Sequence, residues 1–133
     1  MPASNVELIQ AVYAAFGRRD EAALLSLIAP DIQISQSPAL PWGGKYSGHA
    51  GLKQFFTTLL SHVDSRVEFE RYIDAGDHVA AIGRVKGTVR ANGRTFDIPI
   101  AHVWQIRHGQ AAAFNPYIEN ALMLEALHAE ARE

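Results

Sequence analysis

The chain has 133 residues and no cysteine. Disulfide bonds and thiolate metal ligands are therefore excluded, and the fold should not depend on the redox state of its compartment. No apolar run approaches the roughly 20 residues that a membrane-spanning helix needs. The first ten residues, MPASNVELIQ, lack the basic and apolar segments of a secretion signal. We therefore expect a cytoplasmic protein without a membrane partner.

An excess of charge of either sign is also missing. Lys and Arg number 12 against 14 Asp and Glu, and they are scattered, so no basic patch predicts a nucleic-acid partner. None of the six histidines forms an HxH or HExxH motif, and no glycine motif has the loop-to-helix context of a phosphate cradle. The sequence therefore predicts neither a metal site nor a nucleotide cofactor.

What is present is enough apolar sequence for one domain. The hydrophobic fraction is 48%, and a chain of this length buries roughly two-thirds of its unfolded surface. No linker, repeat or low-complexity tract interrupts it. We expect residues 1–133 to form a single domain.

The first third of the sequence predicts helices. Ser4 and Glu7 have the spacing of a capping box, and an apolar stripe that includes Tyr13 follows to a stop at Gly17. Asp20 is placed to cap a second helix, EAALLSLIA, which Pro30 should end. After a short strand at 32–35 and a loop rich in proline and glycine, residues 51–62 have the period of a third amphipathic helix.

The remainder has the pattern of an antiparallel meander. Strands are expected at 66–73, 78–90, 94–107 and 110–118, separated by turns short enough for hairpins. Gly83 and Gly87 interrupt the second of these strands, which predicts a strongly curved sheet. Asn120 is placed to cap a last helix, ALMLEALHAE. Helices that precede such a sheet favour an α+β fold, in which they cover its concave face and leave a conical interior.

Three segments resemble the SnoaL-like members of the nuclear transport factor 2-like superfamily: YAAF-RRD-AALLSLIAPDI, P-WGGKYSGHAGLKQFF and GDHVAAIGRVKGTVRANGRTFDIPIAHVWQIRHG. The resemblance covers nearly the whole chain. It implies a cone-shaped α+β barrel, usually a homodimer through the sheet, with a small-molecule pocket between helices and sheet. The superfamily includes isomerases, cyclases, epoxide hydrolases, dehydratases and proteins without activity, so the resemblance is specific for fold and poor for function.

The residues that carry chemistry in well-understood relatives are missing here. The tyrosine, acid and carboxylate base of ketosteroid isomerases pair with Val12, Ala101 and Gln36, and none of these can do that chemistry. The Arg-x-Asp of limonene-type epoxide hydrolases pairs with residues 84–86, where lysine replaces the acid. The acid on the last strand of SnoaL-type cyclases has only Glu119 as a nearby counterpart.

His102 is the leading candidate for catalysis, because its pKa allows a change of charge near physiological pH. It shares a strand face with Trp104 and several aliphatic residues. If this face is concave, His102 points into the pocket; if it is convex, His102 belongs to a dimer interface. The pairing with ketosteroid isomerases places Ala101 on the pocket side, which favours the interface.

Further candidates complete two hypotheses. Arg84 either anchors an anionic group or is an exposed strand residue with a solvated head. The predicted catalytic residues are His102, Tyr117 and Arg84, and the predicted ligand-binding residues are Trp42, Tyr46, Phe56, Phe114 and Asn115. The first hypothesis is an acid/base isomerase or cyclase that acts on an apolar, polyketide-like carbonyl compound. The alternative is a non-catalytic dimeric binding module with a hydrophobic pocket, in which the His102 face is the interface.

Overall fold

A computed structural model describes residues 4–129, which contain four helices and six strands. Residues 1–3 and 130–133 lie outside the described part, including Glu130, the predicted end of the last helix. The elements are α1 (Asn5–Gly17), α2 (Glu21–Leu27), β1 (Ile28–Gln36), β2 (Gly44–Ser47), α3 (Gly48–His62), β3 (Val63–Ala75), β4 (His78–Val89), β5 (Thr95–Arg107), β6 (Gln110–Ile118) and α4 (Asn120–His128).

The first two helices begin where the capping residues predict. The backbone N–H of Glu7 donates to Ser4 Oγ at 3.1 Å, and the N–H of Ser4 donates to Glu7 Oε1 at 3.4 Å, which completes the capping box. Asp20 Oδ1 accepts a hydrogen bond from the N–H of Ala23 at the start of α2. Each cap satisfies donors that a helix leaves without intrahelical partners.

Three local predictions are wrong in detail. Helix α2 ends at Leu27, and Pro30 lies inside β1. The strand accommodates this proline because the register against β6 is interrupted between Ile28 and Gln33, where the missing N–H costs no ladder bond. Part of the predicted loop forms β2, which pairs with β1. At α4 the N-cap is Glu119, whose side chain makes no capping bond.

The sheet is mixed and open, with the order β2-β1-β6-β5-β4-β3. Strands β3 to β6 form the predicted antiparallel meander. Strand β1 pairs in parallel with β6, because α3 carries the chain from the β1–β2 hairpin to the far edge of the sheet and the meander returns from there to β1. The α+β cone of helices on a strongly curved sheet is confirmed, although its sheet is not antiparallel throughout.

The curvature depends on glycine at two positions of β4. A Cβ atom added at Gly83 would lie 2.0 Å from the carbonyl oxygen of Glu68, and one at Gly87 would lie 2.2 Å from that of Asp64. The β3 backbone therefore crosses directly over these residues. A bulge between Phe69 and Arg71 sharpens the bend.

The core fills the space between the concave face and helices α1 and α3. Ile9 and Val12 of α1 and Phe55 of α3 are at most 3% exposed. They pack in one cluster with concave-face residues such as Trp104. Burying a side chain of this size stabilises a fold by about 1.5–3 kcal/mol. The buried side chains therefore stabilise the packing of the helices on the sheet. Their packing is incomplete, and a cavity remains between them.

Candidate functional site

The cavity lies between α1, α3 and the concave face of β3 to β6, and its volume is about 520 Å³. This volume is within the range of small-molecule sites. Most of its wall is aliphatic or aromatic. The aromatic part includes Tyr13, Phe16, Trp42, Phe55, Phe56, Phe69, Tyr72, Trp104 and Phe114. A ligand that fills this space must therefore be largely apolar.

Three polar atoms meet at the centre of this aromatic wall. The hydroxyl of Tyr13 on α1 lies 2.7 Å from Nδ1 of His102 and 2.9 Å from Nε1 of Trp104, both on β5. The His102 ring also meets Phe69 and Phe114 edge to face, with ring centroids 5.5 and 5.1 Å apart. Packing therefore fixes the orientation of the imidazole.

The chemistry of the donors determines where the protons lie. An indole N–H can only donate, so the Tyr13 oxygen accepts the bond from Trp104. Among residues 4–129 the Tyr13 hydroxyl has one acceptor, His102 Nδ1. Donation to Nδ1 leaves the imidazole proton on Nε2. Nε2 of His102 has no hydrogen-bond partner among residues 4–129, but it is not closed off from solvent. It therefore faces the cavity.

Burial keeps this cluster uncharged at neutral pH. It lowers the pKa of His102 from the ordinary 6.5 to about 3. Burial also raises the pKa of Tyr13, and this effect outweighs the opposing effect of the hydrogen bond from Trp104. The pKa of Tyr72 is raised by burial as well. A low dielectric environment disfavours the charged form of each group, so the cavity presents neutral hydrogen-bonding groups.

The charged groups that the described residues contribute to the cavity wall lie towards its edge. Its charged lining residues are Arg19 and Arg66, both exposed, and no carboxylate lies in its wall as far as the structure describes the chain. The guanidinium carbon of Arg19 lies 4.7 Å from the centroid of the Phe16 ring. Within residues 4–129 no group of His, Cys, Asp and Glu could hold a metal ion.

A profile of the SnoaL-like domain family matches residues 9–114. The chain belongs to this family. An NTF2-like protein from Burkholderia thailandensis is 29% identical to this SnoaL-like protein, with a TM-score of 0.87 over 96% of this chain and 99% of that chain. TerC, crystallised with polyporic acid, is 27% identical, with a TM-score of 0.87 over 96% and 100% of the two chains.

One weaker similarity concerns the fold alone. A provisionally named polyketide cyclase from Pseudomonas putida is 24% identical, with a TM-score of 0.75 over 93% of this chain and 98% of that chain. No curated protein sequence gives a significant match. The comparisons confirm the SnoaL-like resemblance and the NTF2-like fold.

Four of the predicted site residues border the cavity of the SnoaL-like protein. These are His102, Trp42, Phe56 and Phe114. Trp42 is 2% exposed, so it is part of the wall and not a mobile cover. Tyr46 is not part of the wall, because its hydroxyl donates to the carbonyl oxygen of Trp42 at 3.2 Å and its ring packs on Phe55.

The other three lie on the convex face, which contradicts their expected place in the pocket. Phe114, Pro116 and Ile118 of β6 line the cavity, so Asn115 and Tyr117 point the other way by the alternation of a strand. Tyr117 is 59% exposed. Arg84 pairs with Asp97 across the convex face, which is the solvated alternative for this residue.

The pairing that placed Ala101 on the pocket side is also wrong. His102 and Trp104 face the cavity and Ala101 faces outward, so the pairing was off by one residue, which reverses the face of a strand. The stripe of Phe96, Ile98, Ile100, His102 and Trp104 is covered by this chain's own helices and is not a dimer interface.

Sequence reasoning missed Tyr13, Trp104 and Tyr72 as site residues. Tyr13 was read only as part of the apolar stripe of α1. Its signal was a hydroxyl within a helix face that must cover the sheet, since a buried tyrosine usually finds a hydrogen-bond partner. Tyr72 reaches the cavity because of the β3 bulge, which the sequence does not mark.

No helix within residues 4–129 is long and apolar enough to cross a bilayer.

Proposed function

We propose that this SnoaL-like protein binds a planar, largely apolar carbonyl compound of the polyketide type and polarises its carbonyl group. The observation that carries the proposal is the accessible Nε2–H of His102 in the aromatic wall. The Tyr13 hydroxyl occupies Nδ1, so the free donor points at the ligand. A preorganised donor in a dry site stabilises negative charge that develops on a carbonyl oxygen.

The low basicity of His102 specifies its role. A group with a pKa of about 3 takes up no proton in the resting site at neutral pH. It acts instead as a neutral electrophile towards an enol or enolate oxygen, the chemistry that serves isomerisation or ring closure. Tyr117 and Arg84 have no part in this proposal, because they lie on the convex face.

The comparisons support the ligand class. TerC, which shares the fold and 27% of its residues with this chain, was crystallised with polyporic acid. The homodimer and the cytoplasmic location expected from the sequence belong to the same proposal. With the His102 face covered by helices, the dimer would use the opposite face of β5 and β6, where Tyr117 is 59% exposed and Val103 is half-buried.

The test uses 1-tetralone, a bicyclic compound with one carbonyl group. We expect it to quench the fluorescence of Trp42 and Trp104, which both border the cavity. Its bound C=O stretching frequency should fall below the free value, and H102L should cancel this shift. The control is H78L, the same change at an exposed histidine of β4. An unchanged frequency in the wild-type complex would contradict carbonyl polarisation.

Turnover is measured separately from binding. We expect the wild type to accelerate exchange of the C2 protons of 1-tetralone by about tenfold or more over H102L, with the base of the deuterated buffer accepting the proton and His102 stabilising the enolate oxygen. Proton NMR follows this exchange directly. A shifted carbonyl frequency without acceleration would favour the non-catalytic binding module over the isomerase or cyclase.

A further inference from the structure

Gln36 is a polar residue of the cavity wall that the proposed function does not use. Its side chain is buried at 5% exposure and lines the cavity. Nε2 is sealed from solvent and has no hydrogen-bond partner within residues 4–129. A buried amide group left unpaired reduces the stability of a fold. Oε1 also has no partner within residues 4–129, but it is not sealed from solvent, so this end of the amide faces the cavity and is the end that a ligand can reach.

The sheet register places Gln36 in the same row as His102. Ile34 of β1 pairs with Phe114 of β6, and Pro116 of β6 pairs with His102 of β5. Continuing the parallel register by two residues places Gln36 beside Pro116. Gln36 and His102 are therefore two strands apart on the concave face, with Cα atoms about 10 Å from each other. On a concave surface their side chains converge towards one ligand.

The chemistry of the amide defines the group that it would meet. A carboxamide has one donating and one accepting end, and a half-turn about the Cγ–Cδ bond exchanges them. Among residues 4–129, no carboxylate lines the cavity wall that would attract a cationic ligand group. The complement of a neutral amide in such a wall is a neutral oxygen group, either a hydroxyl or a carbonyl.

We propose that Gln36 is a second ligand contact and determines specificity. The ligand then carries two oxygen functions, a carbonyl at His102 and a hydroxyl or second carbonyl at Gln36, separated by one or two fused rings. This inference rests on the proposed function, because it takes the His102 contact as the first anchor. It narrows the substrate class from apolar carbonyl compounds to planar compounds oxygenated on both sides.

The experiment compares three probes of one skeleton: 1-tetralone, 5-hydroxy-1-tetralone and 6-hydroxy-1-tetralone. Dissociation constants are measured by calorimetry for the wild type and for Q36M, whose side chain is unbranched and close in length. We expect at least one hydroxyl probe to bind the wild type about fivefold more tightly than 1-tetralone, the effect of one net hydrogen bond. Q36M should lose this preference and keep its affinity for 1-tetralone.

The control is Q105M, the same change at an exposed residue of β5, which should keep the wild-type preference. Q36L serves as a second variant should Q36M not fold. We also expect the urea midpoint of ligand-free Q36M to rise, because an unpaired buried amide is removed.

The outcomes separate the two proposals. If 1-tetralone binds and Q36M keeps the preference of the wild type, or the wild type has none, the Gln36 inference is overturned and the proposed function stands. A lower urea midpoint of both Gln36 variants would likewise show that the amide has a structural role. If no probe binds the wild type, both proposals fail.

Discussion

Removing the Tyr13 hydroxyl is the sharpest perturbation of the buried cluster. In Y13F the ring keeps its packing against Phe69, at 4.5 Å between ring centroids. The change deletes only the oxygen that bridges His102 Nδ1 and Trp104 Nε1. Any loss of stability therefore reports on two hydrogen bonds and not on a cavity in the core.

The expected magnitude follows from what each partner loses. A neutral hydrogen bond contributes about 1 kcal/mol net, and a buried donor left unpaired costs about 1–3 kcal/mol. Trp104 is 2% exposed, so its N–H has no access to bulk water in the variant. His102 Nδ1 loses its donor as well. We expect the free energy of unfolding to fall by about 2–4 kcal/mol.

Urea denaturation with global fitting of the slope measures this loss. The matched control is Y72F, which removes the hydroxyl of another tyrosine of the cavity wall. That hydroxyl makes no hydrogen bond within residues 4–129, so the control should change stability by less than about 0.5 kcal/mol. Equal stability of Y13F and the wild type would refute the bridging role of Tyr13.

Three further predictions concern pH, a turn and the bend of the sheet. The folded-state pKa of His102 lies below its ordinary value, so the unfolded chain binds more protons than the folded one between pH 6.5 and 3. The free energy of unfolding should therefore fall as the pH drops through this window, by up to about 1.4 kcal/mol per pH unit. The difference between wild type and H102Q in urea titrations from pH 7 to 4 isolates this slope, and equal slopes would contradict the buried neutral imidazole. His108 has φ 53° and precedes Gly109 with φ 74° in the hairpin between β5 and β6. H108N should raise the free energy of unfolding by about 0.5 kcal/mol, because asparagine tolerates this backbone conformation better than histidine. A lower melting temperature of H108N would contradict this prediction. G83A should lower the free energy of unfolding by about 3 kcal/mol or more, since its Cβ would overlap the Glu68 carbonyl. In the control G17A, the added Cβ meets no atom within 4 Å, so the free energy of unfolding should stay the same or rise.

The cavity is nearly apolar, and the polar atoms on which the two proposals rest belong to one row of the sheet or reach it. His102, Gln36 and Tyr72 belong to this row, since Ala81 of β4 pairs with both His102 and Tyr72. Tyr13 reaches the row from α1 and orients the central imidazole. For the ligand that we propose, this arrangement would offer hydrogen-bonding groups along one direction and apolar contacts elsewhere.

The sequence by itself determined most of the elements and the class of fold. The capping residues Ser4 and Asp20 placed the starts of two helices, the two-residue period placed the meander, and Gly83 marked its bend. These signals are local, because each depends on a side chain and its neighbours along the chain. For the same reason, the alternation along β5 correctly grouped His102 with Trp104.

Only the tertiary structure decided which face of β5 is concave. Both faces of that strand are apolar enough to be covered, and a shift of one residue in pairing exchanges them, which is why the pairing with ketosteroid isomerases favoured an interface position for His102 although the pocket alternative was left open. The parallel pairing of β1 with β6, the bulge that turns Tyr72 inward and the meeting of Tyr13 with His102, 89 residues apart, also depend on long-range contacts. The chemistry of the site follows from that folding, because burial determines the pKa of His102 and the bond from Tyr13 determines which nitrogen it presents.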